Sequence, residues 1–116
     1  MRIAVLGAGY VGLVTAAYLA ELGHIVCCID TDTAKIGSLS SGRVPFYEPG
    51  LSELVSDGIS SGRLSFTVDV RTAVNDAEIA FIAVGTPPRV LNGDADLRYV
   101  LQAASDIARN ATGPIM

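Results

Sequence analysis

The sequence has few basic residues, a single histidine, two cysteines and no long apolar run. Eight Lys and Arg stand against twelve Asp and Glu, and no basic cluster occurs, so we do not expect a nucleic acid partner. Charged residues or glycines interrupt every run that approaches the roughly 20 apolar residues of a membrane span, so no membrane partner is expected either. Half of the residues are hydrophobic, and a chain of 116 residues is long enough for one domain with a core.

The cysteines and the histidine offer little chemistry. Cys27 and Cys28 are adjacent on a predicted strand, so their side chains should point to opposite faces and cannot form a metal pair. We therefore expect buried structural thiols in a reducing cytosol, and a cytoplasmic protein. His24 follows a glycine that ends a predicted helix, where its ring can face the last carbonyls, and we assign it no chemistry.

Residues 92–96 have the spacing with which a calcium-binding loop begins. Position twelve of such a loop, counted from Asp94, is Ser105, whereas calcium needs a bidentate acid there. We therefore predict no metal site, and expect the acids to form a turn and to cap a helix from Leu97 to about Arg109. The apolar face of that helix should consist of Val100, Leu101, Ala104 and Ile107.

The N-terminal stretch predicts a strand, a glycine-rich turn and a helix. Residues 3–6 form a short apolar run, which is typical of parallel strands that are covered on both faces. Residues 7–12 fit G-x-G-x-x-G, where the first glycine permits a tight turn, the second lets the backbone approach a pyrophosphate, and the third lets the helix pack on the strand. The following helix would direct its free N–H groups at this turn, so we predict a dinucleotide site.

A second predicted strand, Ile25 to Ile29, ends at Asp30. This acid follows Gly12 at close to the roughly 20-residue distance expected for the carboxylate that holds an adenosine ribose. A carboxylate accepts hydrogen bonds from ribose hydroxyls and repels a 2′-phosphate, so NAD is favoured over NADP. Lys35 lies in the first turn of the next short helix, within reach of whatever Asp30 holds. Spacing alone leaves both the adenosine end of a cofactor and solvent open as its partner.

The middle of the chain predicts a helix, a strand and a short helix. Pro49 is expected in the first turn of the longer helix, and Glu48 where a carboxylate complements the helix dipole. Residues 64–69 alternate between apolar and polar side chains, as in a half-exposed strand, and Asp69 can cap the short helix that follows. The buried face of the longer helix should consist of Leu51, Leu54, Val55 and Ile59.

A further apolar strand, residues 79–84, ends at Gly85-Thr86-Pro87-Pro88. Ligands of open α/β sheets bind beyond the carboxyl ends of the strands, so Thr86 should lie on the same rim as the glycine turn and Asp30. The paired prolines exclude a helix, and a simple stiff turn is the alternative. The whole pattern predicts an α/β fold, a Rossmann-like doubly wound parallel sheet that is truncated in its second half, since 116 residues are few for both halves.

Several segments together resemble the N-terminal NAD-binding domain of the UDP-glucose/GDP-mannose dehydrogenases. The resemblance extends over essentially the whole chain, and YEPGL and VGTPP are far more specific than the glycine turn. The segments are residues 3–12 (IAVLGAGYVG), 21–24 (ELGH), 46–51 (FYEPGL), 62–69 (GRLSFTVD), 83–88 (AVGTPP) and 93–100 (GDADLRYV).

The resemblance implies where an NAD cofactor would be held. The pyrophosphate would lie on the glycine turn, Asp30 and Lys35 would serve the adenosine side, and the VGTP segment would form a further contact. The expected cofactor-binding residues are therefore Gly7, Gly9, Tyr10, Val11, Gly12, Asp30, Lys35, Val84, Gly85, Thr86 and Pro87.

The resemblance also implies a reaction, namely oxidation of the C6 alcohol of UDP-glucose to UDP-glucuronate with two NAD, in polysaccharide biosynthesis. GDP-mannose and UDP-N-acetyl-sugars are alternative substrates, because the substrate contacts would lie outside this segment. The family pattern continues with a substrate domain that carries a nucleophilic cysteine. We therefore expect residues 1–116 to be an incomplete domain without catalytic residues, inactive alone, from an enzyme that is a homo-oligomer at full length. The alternative from another class is a stand-alone nucleotide-sensing module.

Overall fold

The computed structural model describes residues 1–85 and 96–116, in which strands and helices alternate. None of the helices in these two ranges is long and apolar enough to span a membrane. In chain order the elements are β1 (Arg2–Leu6), α1 (Tyr10–Glu21), β2 (Ile25–Ile29), α2 (Thr33–Ser40), α3 (Leu51–Ser60), β3 (Leu64–Thr67), α4 (Val70–Val74), β4 (Ile79–Ile82) and α5 (Arg98–Asn110).

The strands in the described part of the chain form one parallel sheet in the order β3-β2-β1-β4. The central strand, β1, pairs with both β2 and β4, and Leu6 at its end lies opposite Ile29 and Ile82. The carboxyl ends of these strands therefore meet at one edge of the sheet. That edge receives the glycine turn after β1, Asp30 after β2 and the segment after β4.

The two faces of the sheet are both covered, which confirms the predicted doubly wound α/β class. Successive strand residues point to opposite faces, so Val5 contributes to one apolar cluster and Ala4 to the other. The first cluster joins the sheet to α1, α2 and α3, and the second joins it to α4 and α5. Three fully or almost fully buried alanines on α1, Ala16, Ala17 and Ala20, allow this helix to approach the sheet closely.

The start of α3 differs from the prediction. Gly50, with a φ of 80°, is the N-cap and Leu51 is the first helical residue, so Pro49 lies before the helix rather than in its first turn. The left-handed conformation at Gly50 turns the chain into the helix one residue after the proline. The predicted buried face of α3 is confirmed, since Leu51 and Val55 are buried and Leu54 and Ile59 are partly buried against the same cluster.

The bounds predicted for α5 are accurate to about one residue, and its predicted apolar face is confirmed only in part, at Ile107. Ala103 and Ile107 are buried against α4, whereas Leu101 is 67% exposed and Ala104 is also exposed. The N-cap is Leu97 without a side-chain cap, rather than an acid as expected, and Asp96 Oδ1 accepts the N–H of Arg98, the first helical residue, at 3.0 Å. The other acid of the expected turn, Asp94, lies outside the described residues.

The two cysteines point to opposite faces of the sheet, as predicted. Cys28 is fully buried in the cluster with α1, and Cys27 is half-buried on the side of α4. Burial raises the pKa of both thiols, and raises that of Cys28 to about 12. His24 lies near the chain terminus, where its Nδ1 is 3.4 Å from the amino group of Met1.

We expect both thiols to react slowly with a chromogenic disulfide reagent at pH 8 in the native protein, and Cys28 more slowly than Cys27. The thiolate is the reacting species, and a raised pKa together with burial removes it, so Cys28 should react at least about a hundredfold more slowly than after unfolding. Labelling of the Cys27→Ser variant with and without urea isolates Cys28. Rapid native labelling of that variant would mean that the second strand is exposed.

Candidate dinucleotide-binding site

A cavity of about 690 Å³ opens at the carboxyl edge of the sheet. Of the predicted residues, Gly12 is not part of its wall and lies behind the turn against Gly7. Thr86 and Pro87 fall outside the described residues. The predicted cofactor-binding residues that line the cavity are Gly7, Gly9, Tyr10, Val11, Asp30, Lys35, Val84 and Gly85.

Each of the three glycines of the turn is needed for a different structural reason. Gly7 has a φ of 111°, and a Cβ atom there would overlap the carbonyl of Ala83, the residue just after β4. A Cβ atom at Gly12 would overlap the carbonyl oxygen of Gly7, so this glycine lets α1 pack onto the turn. Gly9 faces open space, with nothing within 4 Å of its virtual Cβ. The open space at Gly9 is where a ligand can approach the backbone.

At the amino end of α1, next to this open space, the first N–H groups have no partner among residues 1–85 and 96–116. Gly9 is the N-cap and no side chain caps the helix. The N–H of Leu13, which donates to Gly9 O at 2.9 Å, makes the first hydrogen bond of the helix. The N–H groups of Tyr10, Val11 and Gly12 precede this bond, so they and the positive end of the helix dipole are available for an anion. The turn therefore fits a diphosphate group.

Asp30 links the end of β2 to the glycine turn. Its Oδ2 accepts the N–H of Ala8 at 3.0 Å and lies 3.4 Å from the ammonium of Lys35, while its Oδ1 accepts the N–H of Asp32 at 3.0 Å. Burial raises the pKa of this carboxyl, but the hydrogen bonds from Asp32 and Ala8 and the charge of Lys35 outweigh burial, and the net pKa is lowered. Asp30 is therefore a fixed anion beside the turn, and Lys35 is its partner.

Sequence reasoning missed a contact between Tyr10 and the segment before α3. The phenol of Tyr10 donates to Glu48 Oε2 at 2.6 Å, and its ring centroid lies 5.2 Å from that of Phe46. This hydrogen bond raises the pKa of the phenol. The contact fastens residues 46–48 to the glycine turn. No local spacing could have found it, because the partners are far apart in the chain and only the fold brings them together.

Comparison with known proteins identifies the domain. Residues 1–114 match the model of the UDP-glucose/GDP-mannose dehydrogenase family, NAD binding domain. The chain belongs to the UDP-glucose/GDP-mannose dehydrogenase family. The predicted cofactor, NAD, is confirmed by this match.

Members of the UDP-glucose/GDP-mannose dehydrogenase family with different substrates in their names are similar to the chain. It is 51% identical over 113 residues to the UDP-glucose 6-dehydrogenase of Rhizobium meliloti strain 1021, covering 97% of the chain and 26% of that protein. It is 44% identical over 107 residues to the GDP-mannose 6-dehydrogenase of Pseudomonas aeruginosa, covering 92% and 24%. The UDP-glucose dehydrogenase structure from Pyrobaculum islandicum superposes with a TM-score of 0.89 at 47% identity, covering 94% and 25%. The chain thus spans about a quarter of the length of these relatives.

The described residues of this UDP-glucose/GDP-mannose dehydrogenase domain contain no group of three or more His, Cys, Asp and Glu side chains that could hold a metal ion. Their chemistry is that of a cofactor site: backbone donors for a diphosphate, a carboxylate acceptor for hydroxyl groups and an open cavity. When bound, NAD supplies the hydride acceptor of a dehydrogenase. The residues of the protein hold the cofactor in position and provide the charges around it.

Proposed function

We propose that the cavity holds NAD with its diphosphate over the glycine turn and its adenosine ribose at Asp30. The observation that carries this proposal is the open space at Gly9, bordered by the unpaired N–H groups of α1 and by a charged carboxylate. In this arrangement Lys35 holds the carboxylate in place. Val84 and Gly85 also line the cavity, and the family resemblance implies cofactor contacts for Thr86 and Pro87.

We propose further that the whole protein is a UDP-glucose 6-dehydrogenase, of which residues 1–116 are the NAD-binding part. The 51% identity to the Rhizobium meliloti UDP-glucose 6-dehydrogenase supports this substrate, and the 44% identity to a GDP-mannose 6-dehydrogenase keeps GDP-mannose as the alternative. UDP-N-acetyl-sugars are a further alternative. The enzyme would act as a cytoplasmic homo-oligomer in polysaccharide biosynthesis. Family membership favours this assignment over a stand-alone nucleotide-sensing module.

A protein that contains these residues and a substrate domain should form two NADH for each UDP-glucose consumed. Conversion of a primary alcohol to a carboxylate removes four electrons, each NAD accepts two as a hydride, and water supplies the added oxygen. The 116-residue chain alone should bind NADH without turnover, because positioning of the reacting groups, which can account for roughly 7 to 11 kcal/mol of barrier lowering, needs both domains.

Absorbance of NADH with limiting UDP-glucose gives the stoichiometry, and GDP-mannose and UDP-N-acetylmannosamine serve as comparison substrates. One NADH per sugar would contradict the oxidation to a uronate. Faster turnover of GDP-mannose would transfer the assignment to the alternative substrate, and turnover by the 116-residue chain would contradict its assignment as a cofactor domain only.

A further inference from the structure

The side of α5 that borders the cavity carries a pair of hydrogen-bonding side chains. Gln102 Nε2 donates to Asp106 Oδ1 at 2.9 Å. Neither Gln102 nor Asp106 takes part in the contacts that we expect with a diphosphate and a ribose. The residues of this face are spaced i, i+3, i+4 and i+7, and are Tyr99, Gln102, Ala103 and Asp106.

This face of α5 and Asp30 line the same cavity. Ala103 and Ile107 of α5 share an apolar cluster with Ile29, the residue just before Asp30. Val70, the first residue of α4, also lines the cavity. In a dinucleotide the base is attached to the ribose, so a base whose ribose lies at Asp30 can reach the wall formed by Val70 and α5.

Asp106 determines which way the amide of Gln102 points. An ionised carboxylate only accepts hydrogen bonds, so the amide nitrogen must face Asp106 and the amide oxygen must point elsewhere. Within the described residues neither Gln102 Oε1 nor Asp106 Oδ2 has a hydrogen-bond partner. The hydrogen bond to Asp106 therefore leaves the amide oxygen and the second N–H of Gln102 available to a ligand.

We propose that Gln102, held in orientation by Asp106, recognises the amino edge of the adenine base. This inference rests on the proposed NAD site and goes one step further, to the base that the site selects. Adenine offers an exocyclic N–H donor beside a ring nitrogen acceptor, and a glutamine amide matches such a donor and acceptor pair. Hypoxanthine has a carbonyl oxygen and a ring N–H in these places, so it presents the opposite pattern. Gln102 is the contact residue, and Asp106 is a positioning residue.

The experiment compares the binding of NADH and of reduced nicotinamide hypoxanthine dinucleotide, which differ only at this edge of the base. The fluorescence of the reduced nicotinamide reports both dissociation constants. The protein should bind NADH at least about tenfold more tightly, as a bidentate amide contact discriminates between bases. Gln102→Ala should bring the ratio of the two constants to about one. Asp106→Asn should lower the ratio, because an amide at position 106 lets Gln102 turn either way.

Leu101→Ala is the matched control, since Leu101 is exposed on the same helix and is not part of the cavity wall. The ratio of the two dissociation constants should be the same in Leu101→Ala as in the unaltered protein. The ratio compares two ligands on one preparation, so a partly misfolded variant does not change it. Equal binding of the two dinucleotides, or an unchanged ratio in Gln102→Ala, would overturn the proposal and leave the NAD site standing. Failure of both dinucleotides to bind would overturn the proposed function as well.

Discussion

Substitution of Gly12 by alanine should destabilise the domain by about 3 kcal/mol or more, and a chain of this size can unfold under such a loss. The new methyl group would overlap the carbonyl oxygen of Gly7, and a backbone atom cannot move aside as a flexible side chain can. Helix α1 would have to separate from the turn, which would open the cluster around its buried alanines. Urea unfolding followed by circular dichroism measures the loss.

Gly9→Ala is the matched control for Gly12→Ala, since the chemical change is the same and the position lies in the same turn. Nothing lies within 4 Å of the virtual Cβ, and the φ of −76° suits any residue, so the free energy of unfolding should change by less than about 1 kcal/mol. The added methyl group would occupy the approach of the diphosphate, and NADH affinity should fall at least about tenfold. Equal stability of the two variants, or full NADH affinity in Gly9→Ala, would contradict the roles assigned to these glycines.

NADPH should bind about five- to 150-fold more weakly than NADH. The 2′-phosphate would face the ionised Asp30, and a like-charge interaction of roughly 1 to 3 kcal/mol in a partly desolvated site corresponds to this range. Lys35 reduces the repulsion, since its ammonium lies 3.4 Å from Oδ2 of the carboxylate. Fluorescence titration of both reduced dinucleotides gives the two constants.

Asp30→Asn should remove most of this preference, because it removes the charge and keeps the size of the side chain. Asp57→Asn makes the same change in net charge at an exposed position on α3, so it should leave the preference intact. A site in which NADPH binds as tightly as NADH, or in which Asp30→Asn keeps the full preference, would contradict the assignment of Asp30 to the ribose.

The strands and the glycine turn could be predicted because their causes are local. An apolar run that stops at Gly7 and a second run that stops at Asp30 specify two parallel strands, and the glycine spacing specifies the turn between them. The face of α5 could not be predicted in this way. Periodicity selected the larger Leu101, whereas the helix packs through Ala103, because the closeness of α4 depends on parts of the chain that are distant in sequence.

The site likewise has some features with local causes and others that depend on segments distant in sequence. Spacing selects the glycine turn and Asp30, and eight of the eleven predicted residues line one cavity. The hydrogen bond from Tyr10 to Glu48 joins two segments that only α1, β2 and α2 bring together. Gln102 and Asp106 form a polar pair spaced i, i+4, which in sequence resembles any solvated helix face, so only the position of α5 beside the cavity gives the pair a role.

The pairing of β1 with β4 has a consequence for the order in which a newly synthesised chain acquires its cavity. Ile3 pairs with Ile79, and the wall of the cavity extends to Asp106. A chain that has emerged only as far as Asp30 already carries the glycine turn and the ribose acid, but not the rest of the wall. At the usual rates of translation the remaining residues take roughly 4 to 15 s more. The diphosphate and ribose contacts of the proposed site are therefore synthesised several seconds before the rest of the cavity wall.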